Sequence, residues 1–113
     1  MVPKRILVVD HNEPMLKVLK SSIELVFPGY EVIAADTGIM ALVSLQEKSV
    51  DLILTDYDIP GLNGLDLAQL VHHFFPQIPI ILMSANHNQA EIQQKAALVD
   101  HLVGFLGFTT VHF

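Results

Sequence analysis

The sequence predicts an α/β domain built on a doubly wound, five-stranded parallel sheet. Short apolar runs at residues 6–9 and 52–55 are typical of strands that are buried on both faces. Between such runs lie segments whose apolar residues recur every three or four positions, which is the spacing of an amphipathic helix. Strands that alternate with helices form right-handed crossovers and a parallel sheet covered on both faces. We expect the strand order 2-1-3-4-5.

Each element has its own signals in the chain. Pro14 suits the first turn of the first helix, and Pro28 ends that helix. Thr37 precedes the second helix, and Pro76 ends the third, which follows a loop rich in proline and glycine. A polar segment over residues 88–98 predicts a fourth helix. The predicted strands cover residues 6–9, 30–35, 52–55, 78–83 and 102–107.

The bulk composition limits the classes of function. The chain has 113 residues, of which 51% are hydrophobic, enough for the core of one domain. Twelve acids against six bases give a net charge of −6, which disfavours a nucleic-acid surface and suits a site that holds a cation. The absence of cysteine fits a reducing cytoplasm, and no apolar run is long enough to span a membrane. We therefore expect one cytoplasmic domain over residues 1–113, with 109–113 as a short atypical tail.

Oxygen-bearing side chains follow three neighbouring strands of the predicted sheet. They are Asp10 after strand 1, Asp56 after strand 3 and Ser84 after strand 4. Ligands of such sheets bind at the carboxyl ends of the strands, so these side chains should converge on one pocket. Two carboxylates in a small pocket repel each other unless a cation or a proton intervenes. Mg²⁺ binds through one or two carboxylates, backbone oxygens, waters and phosphate. Each residue alone also suits a turn or a cap; their joint placement indicates a site.

With these residues in place, the sequence resembles the receiver domains of bacterial two-component response regulators. The resemblance runs from about residue 4 to about residue 107, and residues 51–64 are highly specific for this family. It implies a flavodoxin-like fold and a phosphorelay signalling module that is not an enzyme. The matching stretches are residues 6–10 (ILVVD), 29–32 (GYEV), 41–42 (AL), 51–56 (DLILTD), 60–64 (PGLNG) and 79–85 (PIILMSA).

The resemblance also implies a role for each candidate site residue. Asp56 resembles the residue that takes a phosphoryl group from the phosphohistidine of a sensor histidine kinase or a phosphotransfer protein. Asp10, Asp56 and the backbone carbonyl of Asp58 resemble the ligands of Mg²⁺. Ser84 resembles the hydroxyl that contacts the phosphoryl group, and Phe105 the aromatic residue that changes rotamer in response.

The chain departs from the family pattern in three ways. His11 replaces the second of two adjacent acids after strand 1. The usual Lys-Pro pair after strand 5 is replaced by Phe108 and Thr109, and no Lys or Arg follows Lys95. We also expect the family's final helix to be absent, which should leave apolar surface beside helix 1 and strand 5. Either residues 105–113 fold back over this surface or a second copy packs on it. Because no formal charge follows Asp100, we predict a homodimer.

These departures leave two further hypotheses beside phosphorylation of Asp56. One is a pseudo-receiver that keeps the fold and acts as a protein-protein interaction module without phosphorylation. The other is a phosphatase, because Asp56 and Asp58 also resemble the Asp-x-Asp motif of haloacid-dehalogenase-type enzymes. That class needs a catalytic Lys or Arg and a later acidic pair on downstream strands, and we expect the given sequence to end before them.

Overall fold

A computed structural model describes residues 3–84 and 102–107, with side chains described for residues 3–83. Its strands form one parallel sheet in the order β2-β1-β3-β4-β5, which confirms the predicted fold class and strand order. The predicted fourth helix and the atypical tail lie outside the described residues. The elements are β1 (Lys4–Val9), α1 (Glu13–Val26), β2 (Tyr30–Ala35), α2 (Gly38–Glu47), β3 (Leu52–Asp56), α3 (Gly64–Phe74), β4 (Ile80–Ser84) and β5 (Leu102–Gly107).

Side-chain caps fix where the three helices begin. The side-chain oxygens of Asn12, Thr37 and Asn63 each accept a hydrogen bond from the backbone N–H three residues further on, at 2.9, 3.1 and 2.9 Å. These bonds satisfy helix N–H groups that have no partner within the helix. Since Asn12 and Thr37 follow β1 and β2 closely, the caps also hold two short loops at the carboxyl edge of the sheet.

The core lies on both faces of the sheet. Along β1, Leu7 and Val9 belong to the cluster under α2 and α3, whereas Ile6 and Val8 belong to the cluster under α1. This alternation follows from the two-residue repeat of a strand. Residues 6–9 of the strand are therefore all apolar, and its carboxyl end is held between two packed layers.

The fourth strand differs from its predicted bounds. It was expected over residues 78–83 but covers Ile80–Ser84. Ile78 is buried, yet its N–H donates to the carbonyl of Phe75 at 3.1 Å, so it belongs to the turn after α3. Hydrophobicity alone does not distinguish a buried turn residue from a strand residue.

Candidate functional site

The structure places the predicted acids at the ends of adjacent strands. Asp10 follows β1 directly, and its N–H donates to the carbonyl of Ala35 at 3.1 Å. Asp56 is the last residue of β3, and Ser84 is the last residue of β4. Because β1 pairs with β3 and β3 with β4, these three positions share one edge of the sheet. The side chain of Ser84 lies outside the described part of the structure.

Asp10 is a buried carboxylate tied to the start of α1. Its side chain is only 8% exposed, and its Oδ1 accepts the N–H of Asn12 at 2.8 Å. Burial raises the pKa of Asp10, while the Asn12 hydrogen bond and the neighbouring His11 act in the opposite direction. The hydrogen bond orients the carboxylate, and a carboxylate can accept several more.

Among the described residues, Asp56 has a strongly shifted pKa. Its pKa is raised from 3.8 to about 7, first by burial and then by the negative charges of Asp10 and Asp58. Hydrogen bonds from the backbone N–H groups of Asp58 and Tyr57 oppose this shift only in part. None of the ion pairs within residues 3–83 involves Asp10 or Asp56. Within residues 3–83, therefore, no ion pair neutralises the carboxylates of Asp10 and Asp56.

The loop after β3 is held by backbone contacts to both neighbours. The N–H of Tyr57 donates to the carbonyl of Met83 on β4 at 2.8 Å, and the Tyr57 carbonyl accepts the N–H of Gly64 at 2.8 Å. A β-carbon at Gly64 would lie 2.5 Å from the backbone oxygen of Asp56, closer than real atoms allow. Glycine is required there because the first turn of α3 packs directly against the strand end. The PGLNG motif contains Gly64, but no pattern in the sequence indicates this contact.

The other predicted site residues are His11, Asp58 and Phe105, and the structure describes them in different detail. His11 and Asp58 are both exposed in the loops after β1 and β3. Phe105 lies within β5, where it is the register partner of Leu82 on β4, and its side chain is not described. The structure therefore brings Asp10, Asp56 and Asp58 together electrostatically and places Ser84 and Phe105 only by their backbone.

The donors at this edge fit a hard cation. Among the described residues, no three His, Asp or Glu side chains form a ready-made metal cluster. Mg²⁺ does not need one, because it binds through one or two carboxylates and keeps several waters. Two half-buried or buried carboxylates with raised pKa values are suited to such an ion, since its charge favours their ionised forms and offsets the effect of Asp10 on Asp56.

Comparison with known proteins identifies the family. The profile of the response regulator receiver domain matches residues 6–106. The chain is 33% identical over 105 residues to the chemotaxis protein CheY1 of Helicobacter pylori, covering 88% of this chain and 83% of that protein. It is 35% identical over 88 residues to the putative two-component response regulator ARR21 of Arabidopsis thaliana, covering 76% of this chain but only 14% of ARR21.

A solved structure agrees with these sequence matches. The response regulator TrrA of Thermotoga maritima, in complex with Mg²⁺ and BeF, superposes with a TM-score of 0.79 and 27% identity, covering 97% of this chain and 90% of TrrA. The chain therefore belongs to the response regulator receiver domains of two-component systems. Receiver domains are signalling modules, and Mg²⁺ binding and phosphorylation are characteristic of them.

No helix within the described residues is long and apolar enough to cross a membrane.

Proposed function

We propose that this receiver domain accepts a phosphoryl group on Asp56 from a histidine kinase or phosphotransfer protein in the cytoplasm. The observation that carries the proposal is the convergence of Asp10 and Asp56 at adjacent strand ends with no cation paired to either among residues 3–83. At such a site a bound cation would offset the repulsion between the two carboxylates. Residue Asp56 is also the position that matches the family's acceptor.

The proposed reaction transfers a phosphoryl group between two side chains. A carboxylate oxygen of Asp56 attacks the phosphorus, the phosphorus–nitrogen bond to the donor imidazole breaks, and its electron pair stays on that nitrogen, which takes up a proton. Asp10, Asp56 and the Asp58 carbonyl would hold Mg²⁺, which supplies charge neutralisation on the transferring oxygens. The backbone N–H groups of Tyr57 and Asp58 hydrogen-bond to the Asp56 carboxylate and orient it.

Ser84 and Phe105 would act after transfer. Ser84 ends β4, the strand that pairs with β3, and its hydroxyl would contact the new phosphoryl group. Phe105 lies on β5, the strand beside it, and would report the change through its rotamer. Such a local change of charge biases an element between two states.

Trapping of the acyl phosphate tests the assignment. The 113-residue chain is incubated with acetyl phosphate and Mg²⁺, reduced with borohydride, and mapped by mass spectrometry. Label is expected on Asp56 and should disappear in Asp56→Asn, while Asp51→Asn, at the other end of the same strand, should label normally. Label that persists elsewhere in Asp56→Asn would move the acceptor to another residue.

His11 favours a second candidate function, a pseudo-receiver that binds partners without phosphorylation. It is exposed beside Asp10, where the family carries a second acid, and imidazole is a poorer ligand for Mg²⁺ than a carboxylate. Titration with beryllofluoride and Mg²⁺ separates the two functions, because the mimic needs both the metal and the Asp56 carboxylate. Saturable binding that Asp56→Asn abolishes supports the phosphorylated receiver, and no binding supports the pseudo-receiver.

We also propose that the chain forms a homodimer. Three consecutive apolar residues at the end of α1 are exposed: Leu25 by 81%, Val26 by 65% and Phe27 by 53%. A patch of this kind favours association when it is contiguous. Sedimentation of the chain at micromolar concentration is expected to show a dimer, which Leu25→Lys and Phe27→Lys should weaken. A monomer that binds no hydrophobic dye would contradict this proposal.

A further inference from the structure

The outer edge of β2 is closed by two side chains of α1. Strand β2 is at the end of the sheet, so only one of its two edges pairs with another strand among the described residues. A free edge offers unpaired N–H and C=O groups to any extended chain. Here the N–H of Val32 donates to Glu24 Oε2 at 2.9 Å, and Lys20 Nζ donates to the carbonyl of Val32 at 2.9 Å. We call Lys20 and Glu24 the edge clamp.

The clamp is internally bonded as well. Lys20 Nζ lies 3.1 Å from Glu24 Oε2, one helical turn away on α1. The Val32 N–H, and after it Lys20, lower the pKa of Glu24, so the carboxylate stays charged at neutral pH. Each of the two side chains therefore has a partner in the other as well as in the strand.

The strand itself carries little other protection against pairing. Edge strands are usually blunted by proline, lysine or unpaired charge. Residues 30–35 contain neither proline nor lysine. Their one charge, Glu31, is already paired with Arg5 Nε at 2.9 Å. Ala34 is the next residue whose backbone N–H and C=O face the same outer edge as those of Val32, and it is small and exposed. At the start of the strand the Tyr30 N–H donates to the Phe27 carbonyl at 3.0 Å, so among the described residues it is closure of the edge at Val32 that depends on the clamp.

We propose that the β2 edge is a docking surface for the β2 strand of a second copy, and that the edge clamp keeps it closed. Val32 presents one donor and one acceptor on the same side. In an antiparallel ladder, two residues that face each other exchange both bonds. Two copies related by a twofold axis at Val32 would therefore satisfy each other, as a symmetric interface requires. This inference does not rest on phosphorylation, because Asp56 lies on β3, two strands away.

Removing the clamp tests the proposal directly. Sedimentation velocity compares the wild-type chain with Lys20→Ala/Glu24→Ala, and with the control Lys17→Ala/Glu47→Ala, which removes the same charges at exposed positions. The clamp variant is expected to associate at least about tenfold more tightly than wild type, the ratio expected when a charge-assisted bond no longer competes. The control should match wild type, and circular dichroism confirms that each variant is folded.

A third substitution locates the interface. Ala34→Pro removes an outward N–H from the strand, which an edge position tolerates because β1 does not use it. Added to the clamp variant, it should return association to the wild-type level. The α1 patch proposed above would be unaffected, so the two modes of self-association are distinguishable.

Hydrogen exchange at the Val32 amide gives an independent measure. In dilute clamp variant the amide should exchange about tenfold faster than in wild type, because its acceptor is gone. At high protein concentration its protection should return, whereas wild type should show no such dependence. If the double variant does not fold, Lys20→Met, which frees only the carbonyl, takes its place in the sedimentation experiment, where tighter association than wild type is expected; its Val32 amide keeps the Glu24 acceptor and should exchange like wild type. A folded clamp variant that sediments like wild type, or association tighter than wild type that survives Ala34→Pro, would overturn the proposal.

Discussion

The two ends of β3 carry the same kind of side chain in opposite circumstances. Asp51, just before the strand, is exposed, accepts the backbone N–H of Arg5 at 2.9 Å, and lies 3.9 Å from Lys4 Nζ. Asp56, at the other end, is half-buried beside the charges of Asp10 and Asp58, which help to raise its pKa to about 7. Only four residues thus separate an acid with a basic partner from an acid among acids.

The difference shows which edge of the sheet serves stability and which serves chemistry. An exposed ion pair, such as the one at Asp51, adds at most a little to the free energy of unfolding. Holding like charges together at Asp56 destabilises the fold, so it is expected where a ligand supplies the missing charge.

The largest effect is expected at Gly64, which packs against the strand end. Gly64→Ala places a β-carbon against the Asp56 carbonyl and Leu82, and should lower the free energy of unfolding by about 2–3 kcal/mol. Gly29→Ala is the matched control, because nothing lies within 4 Å of a β-carbon there. Urea unfolding measures both. Equal effects of the two substitutions would mean that the strand end is not tightly held.

A smaller effect is expected from the charge on Asp56, and it should depend on pH. Its pKa is raised in the folded state, so the stability contributed by its protonated form is present below about pH 4 and is lost as the pH rises through about 7. Without metal, Asp56→Asn should be more stable than wild type at pH 8 by about 1–2 kcal/mol, with solvent screening included. At pH 4 the two proteins should be nearly equal.

Two controls accompany that measurement. Mg²⁺ should reduce the difference at pH 8, since the cation relieves the repulsion that Asn removes. Asp51→Asn should instead lower stability by no more than about 1 kcal/mol, as is usual for exposed pairs. A stability difference for Asp56→Asn that is the same at pH 4 and pH 8 would argue against an electrostatic origin.

The smallest effect concerns His11. Replacing it by Asp restores a second acid beside Asp10 and should tighten Mg²⁺ binding about tenfold, or about 1.4 kcal/mol. Titration calorimetry on wild type and His11→Asp measures the ratio. Equal affinities would show that the side chain at position 11 points away from the metal.

Sequence patterns were sufficient to predict most of the fold. The bounds of β2 and β5 match the predicted residues 30–35 and 102–107. The bounds of such strands are set locally, by short apolar runs and by the glycine and proline residues that interrupt them. β4 was misplaced by two residues at its start, because Ile78 is as buried as a strand residue although it lies in a turn.

The site was only partly predictable from sequence. Strand order placed Asp10 and Asp56 at one edge, because their positions follow from topology alone. The close approach of Gly64 and the bonds of Lys20 and Glu24 to Val32 depend on how helices settle against the sheet. No local pattern encodes those distances, since they arise from packing between segments far apart in the chain.

The contacts of Arg5 favour one register between β1 and β2. It is the register partner of Glu31, and its Nε bonds that carboxylate at 2.9 Å while Nη1 reaches the Ser49 hydroxyl at 3.2 Å. If β2 slid by one residue, Glu31 would turn to the opposite face, and Arg5 would meet an apolar or aromatic neighbour. Misaligned chains would therefore lose this bond during folding, and Arg5 helps to select the correct register while the strands assemble.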